Sequence, residues 1–231
     1  MLSDDFFHVW HGDLLAFPRH ILDTCLTWED RARAAGFRRE EDRMRSLASR
    51  AALRHLCAGY LGAEPRSLVF AASEGVKPRL GASHLVSGLK FNLSHSGRHV
   101  LLAFARDVEV GVDVELIAPI ADLRMLIASV THPDEEASLS AEPDERARLR
   151  RFLALWTAKE AVLKAIGTGL GADPRTARFA ADGAGWAFQR NTDSALDEPL
   201  VVWRADPSPD AVGHVAVLGE AIVPALFRLI A

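Results

Sequence analysis

Three carboxylates and two ammonium groups are the residues of this chain whose types and spacing could do chemistry. Asp113 and Glu115 stand two apart in the run GVDVELI, residues 111–117. Around them Val108, Val110, Val112, Val114 and Leu116 alternate with Asp107, Glu109, Gly111, Asp113 and Glu115. That is the period of a strand with one apolar face and one face of acid and glycine. Asp is depleted in strands, and like charges on one strand face repel, so a neutralising partner is expected. Residues 151–167, RFLALWTAKEAVLKAIG, supply a third acid, Glu160, and two lysines, Lys159 and Lys164. At about 100° per residue, Phe152, Leu155, Trp156, Val162, Leu163 and Ile166 form one apolar arc of a helix. Glu160 and Lys164 fall at its edge, where alone they read as a solvated i,i+4 pair. Lys159 falls at its middle. A cation centred on a buried face calls for a buried anion, and phosphate is the commonest candidate. Three carboxylates without histidine or thiolate suit a hard ion such as Mg²⁺, which keeps waters and takes phosphate oxygens as further ligands. The pattern therefore predicts Mg²⁺ at Asp113, Glu115 and Glu160, with lysines holding the remaining phosphate charge.

A second polar segment, FNLSHS at 91–96, offers Ser94, His95 and Ser96 for anion binding. A Ser–His nucleophile pair is the rival reading, but adjacent residues point apart in a strand and no glycine-flanked elbow surrounds the serine. Lysine is scarce: of 27 basic residues only Lys77, Lys90, Lys159 and Lys164 are lysine. In so Arg-rich a chain each lysine is a candidate for a site that wants a compact ammonium.

The elements that must position these groups follow from pattern. With 231 residues, 49% of them hydrophobic, the chain can bury a sizeable core. A net charge of −4 argues against nucleic acid as partner. The start, Met1 to Asp5, has acid where a signal peptide has base, and no apolar run reaches membrane-spanning length. Cys25 and Cys57 lack metal-ligand spacing, and a reducing, cytoplasmic setting without membrane contact is expected. Strands are predicted at 6–10, 67–71, 91–93, 99–105, 108–116, 177–181, 200–204 and 214–218. Helix is predicted over 28–62 and 149–166, with a polar helix-prone stretch from 118 to 148 and a helical turn at 224–230. Residues 75–78 and 94–97 read as turns, as does 106–109. HVLLAFA (99–105) and HVAVLGE (214–220) faintly echo each other, which suggests an α+β fold of two similar lobes, 1–108 and 109–231. The acids would lie at their junction, where ligand sites tend to form.

FNLSHS, then GVDVE, then WTAKEAVLKAIGTGL, in this order and spacing, resembles the 4′-phosphopantetheinyl transferase superfamily. Length and the N-terminal half resemble its surfactin-type, single-chain pseudodimeric branch, in which each lobe packs a small antiparallel sheet with a long helix. The resemblance implies an enzyme that moves the phosphopantetheine arm of coenzyme A onto a serine of an apo carrier protein, releasing adenosine 3′,5′-bisphosphate. It implies Mg²⁺ on Asp113, Glu115 and Glu160, phosphate charge on Lys159 and Lys164, and pyrophosphate contact by His95. Lys77-Pro78 matches the family's Gly-Lys-Pro loop, with Val76 where glycine is usual. Ser94, Arg45, Ser46 and Arg33 fall at positions that contact the nucleotide and its 3′-phosphate. Glu160, directly or through water, is the expected base for the serine proton, with Asp113 and Lys164 also catalytic. A mixed apolar and Arg surface on 118–150 is expected to receive the carrier, and one chain is expected to act as a monomer. The rivals are a non-catalytic module binding coenzyme A or a carrier, and a Mg²⁺-dependent nucleotide phosphohydrolase.

Overall fold

A computed structural model describes residues 6–71, 77–168, 172–191, 199–219 and 223–229. The first half of the chain runs β1 (Phe7–Asp13), α1 (Arg19–Cys25), α2 (Trp28–Ala35) and α3 (Glu40–Leu61). Two short strands, β2 (Phe70–Ala71) and β3 (Arg79–Leu80), precede the hairpin of β4 (Leu89–Ser96) and β5 (His99–Arg106). The second half opens with β6 (Val110–Leu116), then α4 (Leu123–Val130), α5 (Pro133–Ser140) and α6 (Glu145–Ile166). It continues with β7 (Ala177–Asp182), β8 (Gly185–Asn191), β9 (Leu200–Arg204), β10 (Ala211–Leu218) and β11 (Ala225–Arg228).

These elements stack in four layers, helix on sheet on sheet on helix, a mixed α+β architecture. One sheet has the order β11-β1-β5-β4 and the other β6-β10-β9. The run Val100 to Ala105 explains the stacking, because both of its faces are apolar and fully buried. Val100, Leu102 and Phe104 pack towards α3 with Leu53 and Cys57. Leu101, Ala103 and Ala105 meet Val110, Val112, Val114 and Val215 in the layer between the sheets. Beyond the second sheet, Val212 and Ala216 pack on Leu155, Ala158 and Val162 of α6. Residues 99–105 and 214–218 of the two echoing segments thus lie in β5 and β10, each of which, like β1, has hydrogen-bonded neighbours on both sides.

Local chemistry sets the ends of the long helices. Thr27 and Asp30 form a capping box that starts α2. Asp144 caps α6, which ends at Gly167 in the left-handed conformation (φ 81°) that glycine adopts without a Cβ clash. The expected single helix over 28–62 is two, because the chain breaks between Gly36 and Arg39. The predicted turn at 94–97 is shorter than expected, since β4 continues through Ser94 and His95 to Ser96. Asp107, at φ 58°, carries the tight connection from β5 to β6.

Two further expectations are corrected. The terminal segment is no helical turn: β11 pairs in parallel with β1, and Phe227 stacks on Trp10 with centroids 4.6 Å apart. The β7–β8 hairpin includes a strand, 185–191, that the alternation did not reveal. Residues 75–76 of the predicted Gly-Lys-Pro-like turn and Ile230 lie outside the described residues. No helix among the described residues is long and apolar enough to cross a membrane.

Candidate active site

The acidic face of β6 is covered by α6, not by solvent. Gly111 makes this close approach possible: a Cβ there would stand 2.0 Å from the Ala161 carbonyl oxygen and 2.4 Å from the Ala165 nitrogen. The even face of β6 is buried between the sheets as the alternation predicts, with Val110, Val112 and Val114 all fully buried. Both faces are therefore covered, and the acids sit in the seam where β4, β6 and α6 meet.

Asp113 is the most enclosed of them, only 4% exposed. Its Oδ1 accepts hydrogen bonds from Lys164 Nζ at 2.6 Å and from Ser94 Oγ at 2.7 Å. Its Oδ2 is buried and has no hydrogen-bond partner among the described residues. Lys164 Nζ also donates to the Val112 carbonyl at 3.3 Å. Glu115 accepts from Ser96 Oγ at 2.7 Å. Burial pushes the Glu115 carboxyl above its usual range; the Ser96 hydroxyl opposes this, while the Asp113 charge adds to it. Glu160 is likewise raised, first by burial and then by Asp113 and Glu115, with Lys164 opposing. Glu115 and Glu160 thus each feel the neighbouring acids, and the one ammonium bonded to Asp113 opposes both effects.

β4 holds this arrangement in place through its alternate side chains. Lys90 pairs with Glu109 at 3.0 Å, and Asn92 Oδ1 accepts from the Val112 amide at 2.8 Å. Ser94 and Ser96 reach Asp113 and Glu115, and Ser96 Oγ also accepts from the Leu116 amide at 3.1 Å. The two strands belong to different sheets, so these side chains replace the ladder that backbone groups would otherwise make. Asn92 was not singled out from the sequence, and Ser96, expected to bind an anion, instead bonds Glu115 and the Leu116 amide. The period-two placement of Lys90, Asn92, Ser94 and Ser96 on one strand face was the available signal.

The remaining predicted residues divide. His95 lies on the other side of β4. Its ring keeps an exposed edge, yet loss of solvent lowers its proton affinity, as do the nearby charges of Arg45 and Lys164. Arg45 of α3 and Lys164 of α6 are thus both within electrostatic reach of His95. Arg45 itself pairs with Glu41 and Asp42 at 3.0 and 2.8 Å, and Ser46 follows it, partly buried. Arg33 is exposed on α2 and has no contact with this seam among the described residues. Lys77 Nζ is held by Glu109 at 2.7 Å and by the Val110 carbonyl at 2.7 Å, at the start of β6. Burial weakens the proton affinity of Lys77, while Glu109 supports its charge.

Lys159 is the clearest correction. It is fully buried, and the anion that faces it is Glu135 at 2.8 Å, not a phosphate. Its Nζ also donates to the carbonyls of Ala177 at 2.5 Å and Pro174 at 3.1 Å. An ammonium has three donors, and all three are used. Glu135 is equally complete, accepting from the amides of His132 and Phe179 at 2.7 and 2.9 Å. At about 100° per residue, Lys159 points well away from Glu160 and Lys164, towards α5 and β7.

Could these residues hold Mg²⁺? Among the described residues, no three His, Cys, Asp or Glu side chains converge in a metal-holding arrangement. Lys164 is bonded to Asp113 instead, and its charge reaches Glu115 and Glu160. The donor set nevertheless fits a hard divalent ion: Asp113 offers a buried, unpartnered oxygen, and among the described residues Glu115 and Glu160 make no direct ion pair, feeling only the Lys164 charge bonded to Asp113. Mg²⁺ needs only one or two direct carboxylates, with water and phosphate completing its shell.

Comparison with known proteins covers both halves. Residues 109–211 match the family model described as the 4′-phosphopantetheinyl transferase superfamily. Residues 18–107 match that described as 4′-phosphopantetheinyl transferase, N-terminal. The 4′-phosphopantetheinyl transferase HetI of Nostoc sp. is 38% identical over 172 residues, 74% of this chain and 72% of the relative. The 4′-phosphopantetheinyl transferase psf-1 of Bacillus pumilus is 31% identical over 204 residues, 84% of each chain. A phosphopantetheinyl transferase of Thraustochytrium sp. is 31% identical over 91% of this chain and 78% of its own.

Proposed function

The chain belongs to the 4′-phosphopantetheinyl transferase superfamily and is an enzyme of it; from that premise we propose that it transfers the 4′-phosphopantetheine arm of coenzyme A to a serine of an apo carrier protein. The observation that carries this reading is the Lys164 ammonium bonded to buried Asp113, with Glu115 and Glu160 near enough to feel both charges and with His95 in reach of the Lys164 and Arg45 charges. Its excess of negative charge suits a divalent ion, and its rim of cations suits a diphosphate.

The serine Oγ bonds to the phosphorus that carries the pantetheine arm. The bond from that phosphorus to the bridging oxygen breaks, and adenosine 3′,5′-bisphosphate leaves. Glu160 takes the serine proton, a role helped by a carboxyl whose proton affinity burial and two neighbouring acids have raised. Lys164 offsets charge on the leaving phosphate. His95 and Arg45 contact the phosphates, Ser94 keeps Asp113 oriented, and Ser46 and Lys77 border the nucleotide. Asp113, Glu115 and Glu160 would hold Mg²⁺, which would neutralise a diphosphate that otherwise repels the incoming oxygen.

The carrier docks in a cleft of about 870 Å³ that begins at Ile117, one residue beyond β6, and runs along α4 and the first turns of α6. Apolar Ile120, Leu123 and Met125 meet Arg124, Arg146 and Arg150 there, a surface suited to an acidic helix with an apolar stripe. We read the two sheet-and-helix halves, with β11 crossing back, as a pseudodimer in which one chain builds one site.

A panel of apo carriers incubated with coenzyme A and Mg²⁺, scored by mass, tests the reading. A phosphopantetheine mass gain on one serine is expected, lost in Asp113→Ala while circular dichroism stays unchanged. Sedimentation and calorimetry of the same protein are expected to give a monomer binding one coenzyme A. Breakdown of coenzyme A without any carrier, or wild-type turnover by folded Asp113→Ala, would sink it.

A further inference from the structure

We propose that Lys164 is the resident cation of the acidic cluster in the free enzyme and exchanges places with the metal, so that divalent ion and coenzyme A load together. The inference rests on the metal and substrate reading above and adds an order of events to it.

Three observations carry it. The Lys164 ammonium bonds Asp113 Oδ1 at 2.6 Å and sits where Glu115 and Glu160 both feel its charge. The other Asp113 oxygen is buried and unpartnered among the described residues, so the carboxylate is crowded on one side and bare on the other. Lys164 is also the most exposed member of the pair, with a quarter of its side chain accessible against 5% for Asp113. It lies in the last turn of α6, before Gly167.

A divalent ion entering beside Asp113 brings like charge against the ammonium, and at such distances in a poorly hydrated seam the repulsion is large. Lys164 must then leave, and without a new anion its departure is unfavourable. A diphosphate provides that anion. Its four-carbon stem lets the ammonium swing from Asp113 to phosphate without moving the helix. Linkage then requires reciprocity: coenzyme A tightens Mg²⁺ by the same factor by which Mg²⁺ tightens coenzyme A. The exchange also spares the free enzyme three unneutralised acids.

The test is calorimetric titration of the full chain with MgCl₂, alone and with saturating coenzyme A, on wild type, Lys164→Met, Lys164→Ala and Asp113→Asn. Urea denaturation identifies which variants are folded; the alanine variant stands in if methionine does not fold. With a competent fraction of about one-tenth in wild type, Mg²⁺ alone should bind Lys164→Met about tenfold more tightly. Wild type should gain Mg²⁺ affinity once coenzyme A is present. If the lysine variants bind Mg²⁺ alone no better than wild type while Asp113→Asn abolishes binding, the metal site stands and the exchange is refuted. If Asp113→Asn leaves Mg²⁺ binding unchanged, the metal reading itself fails, and the exchange with it.

Discussion

Replacing Lys159 with methionine separates two roles that the sequence alone cannot distinguish. In the structure this lysine joins α6 to α5 and β7 through Glu135 and two carbonyls, with 0% and 1% of the two side chains exposed. Methionine fills a similar volume but leaves the Glu135 charge buried without its cation. Breaking one side of a buried pair costs about 3–5 kcal/mol. For a chain of this size that corresponds to a fall in Tm of roughly 6–20 °C. Replacing Glu135 with glutamine in the same protein removes the stranded charge and keeps an acceptor for the His132 and Phe179 amides. The double variant should therefore recover about 1–3 kcal/mol. Urea denaturation of wild type, both single variants and the double variant measures this coupling, and calorimetry with coenzyme A on the folded variants reads the site. The expected result is a large loss of stability, partial recovery in the double variant, and coenzyme A affinity close to wild type. A Lys159→Met protein as stable as wild type that no longer binds coenzyme A would refute the reasoning and restore Lys159 as a phosphate ligand.

Gly111→Ala should destabilise by about 1–3 kcal/mol or more and abolish transfer, because the new methyl would meet the backbone of α6 and part it from β6. A protein with normal urea stability and activity would show that the helix does not rest on that strand. The buried His214, which shares a hydrogen bond with Thr157 at 2.8 Å, is held to a pKa of about 4 by burial. The folded state therefore binds fewer protons than the unfolded state between about pH 4 and the ordinary histidine value of 6.5. Its contribution is fully present above pH 6.5 and is lost as pH falls towards 4, amounting to about 3 kcal/mol. His214→Asn should flatten that part of the stability–pH curve; an unchanged slope would assign the acid sensitivity elsewhere.

What the sequence by itself determined is what repeats along the chain or lies close within it. The alternation of 108–116, the apolar run of 99–105 and the arc of 152–166 each specify a buried face, because burying apolar surface dominates local choice. The acids and lysines on those elements were legible for the same reason, and with FNLSHS they carry the family. Tertiary structure alone decided which charge meets which. Periodicity placed Lys159 on an inward face, but its anion comes from α5, a separate element whose acid reads locally as a helix cap. It also left open whether the acidic face of β6 meets solvent; the glycine at 111 brings α6 onto it, and with α6 comes Lys164. The bonds from Asn92, Ser94 and Ser96 to β6 depend on two sheets abutting. The same holds for β11, a short terminal strand whose four residues show no period and which forms only because β1 offers an edge.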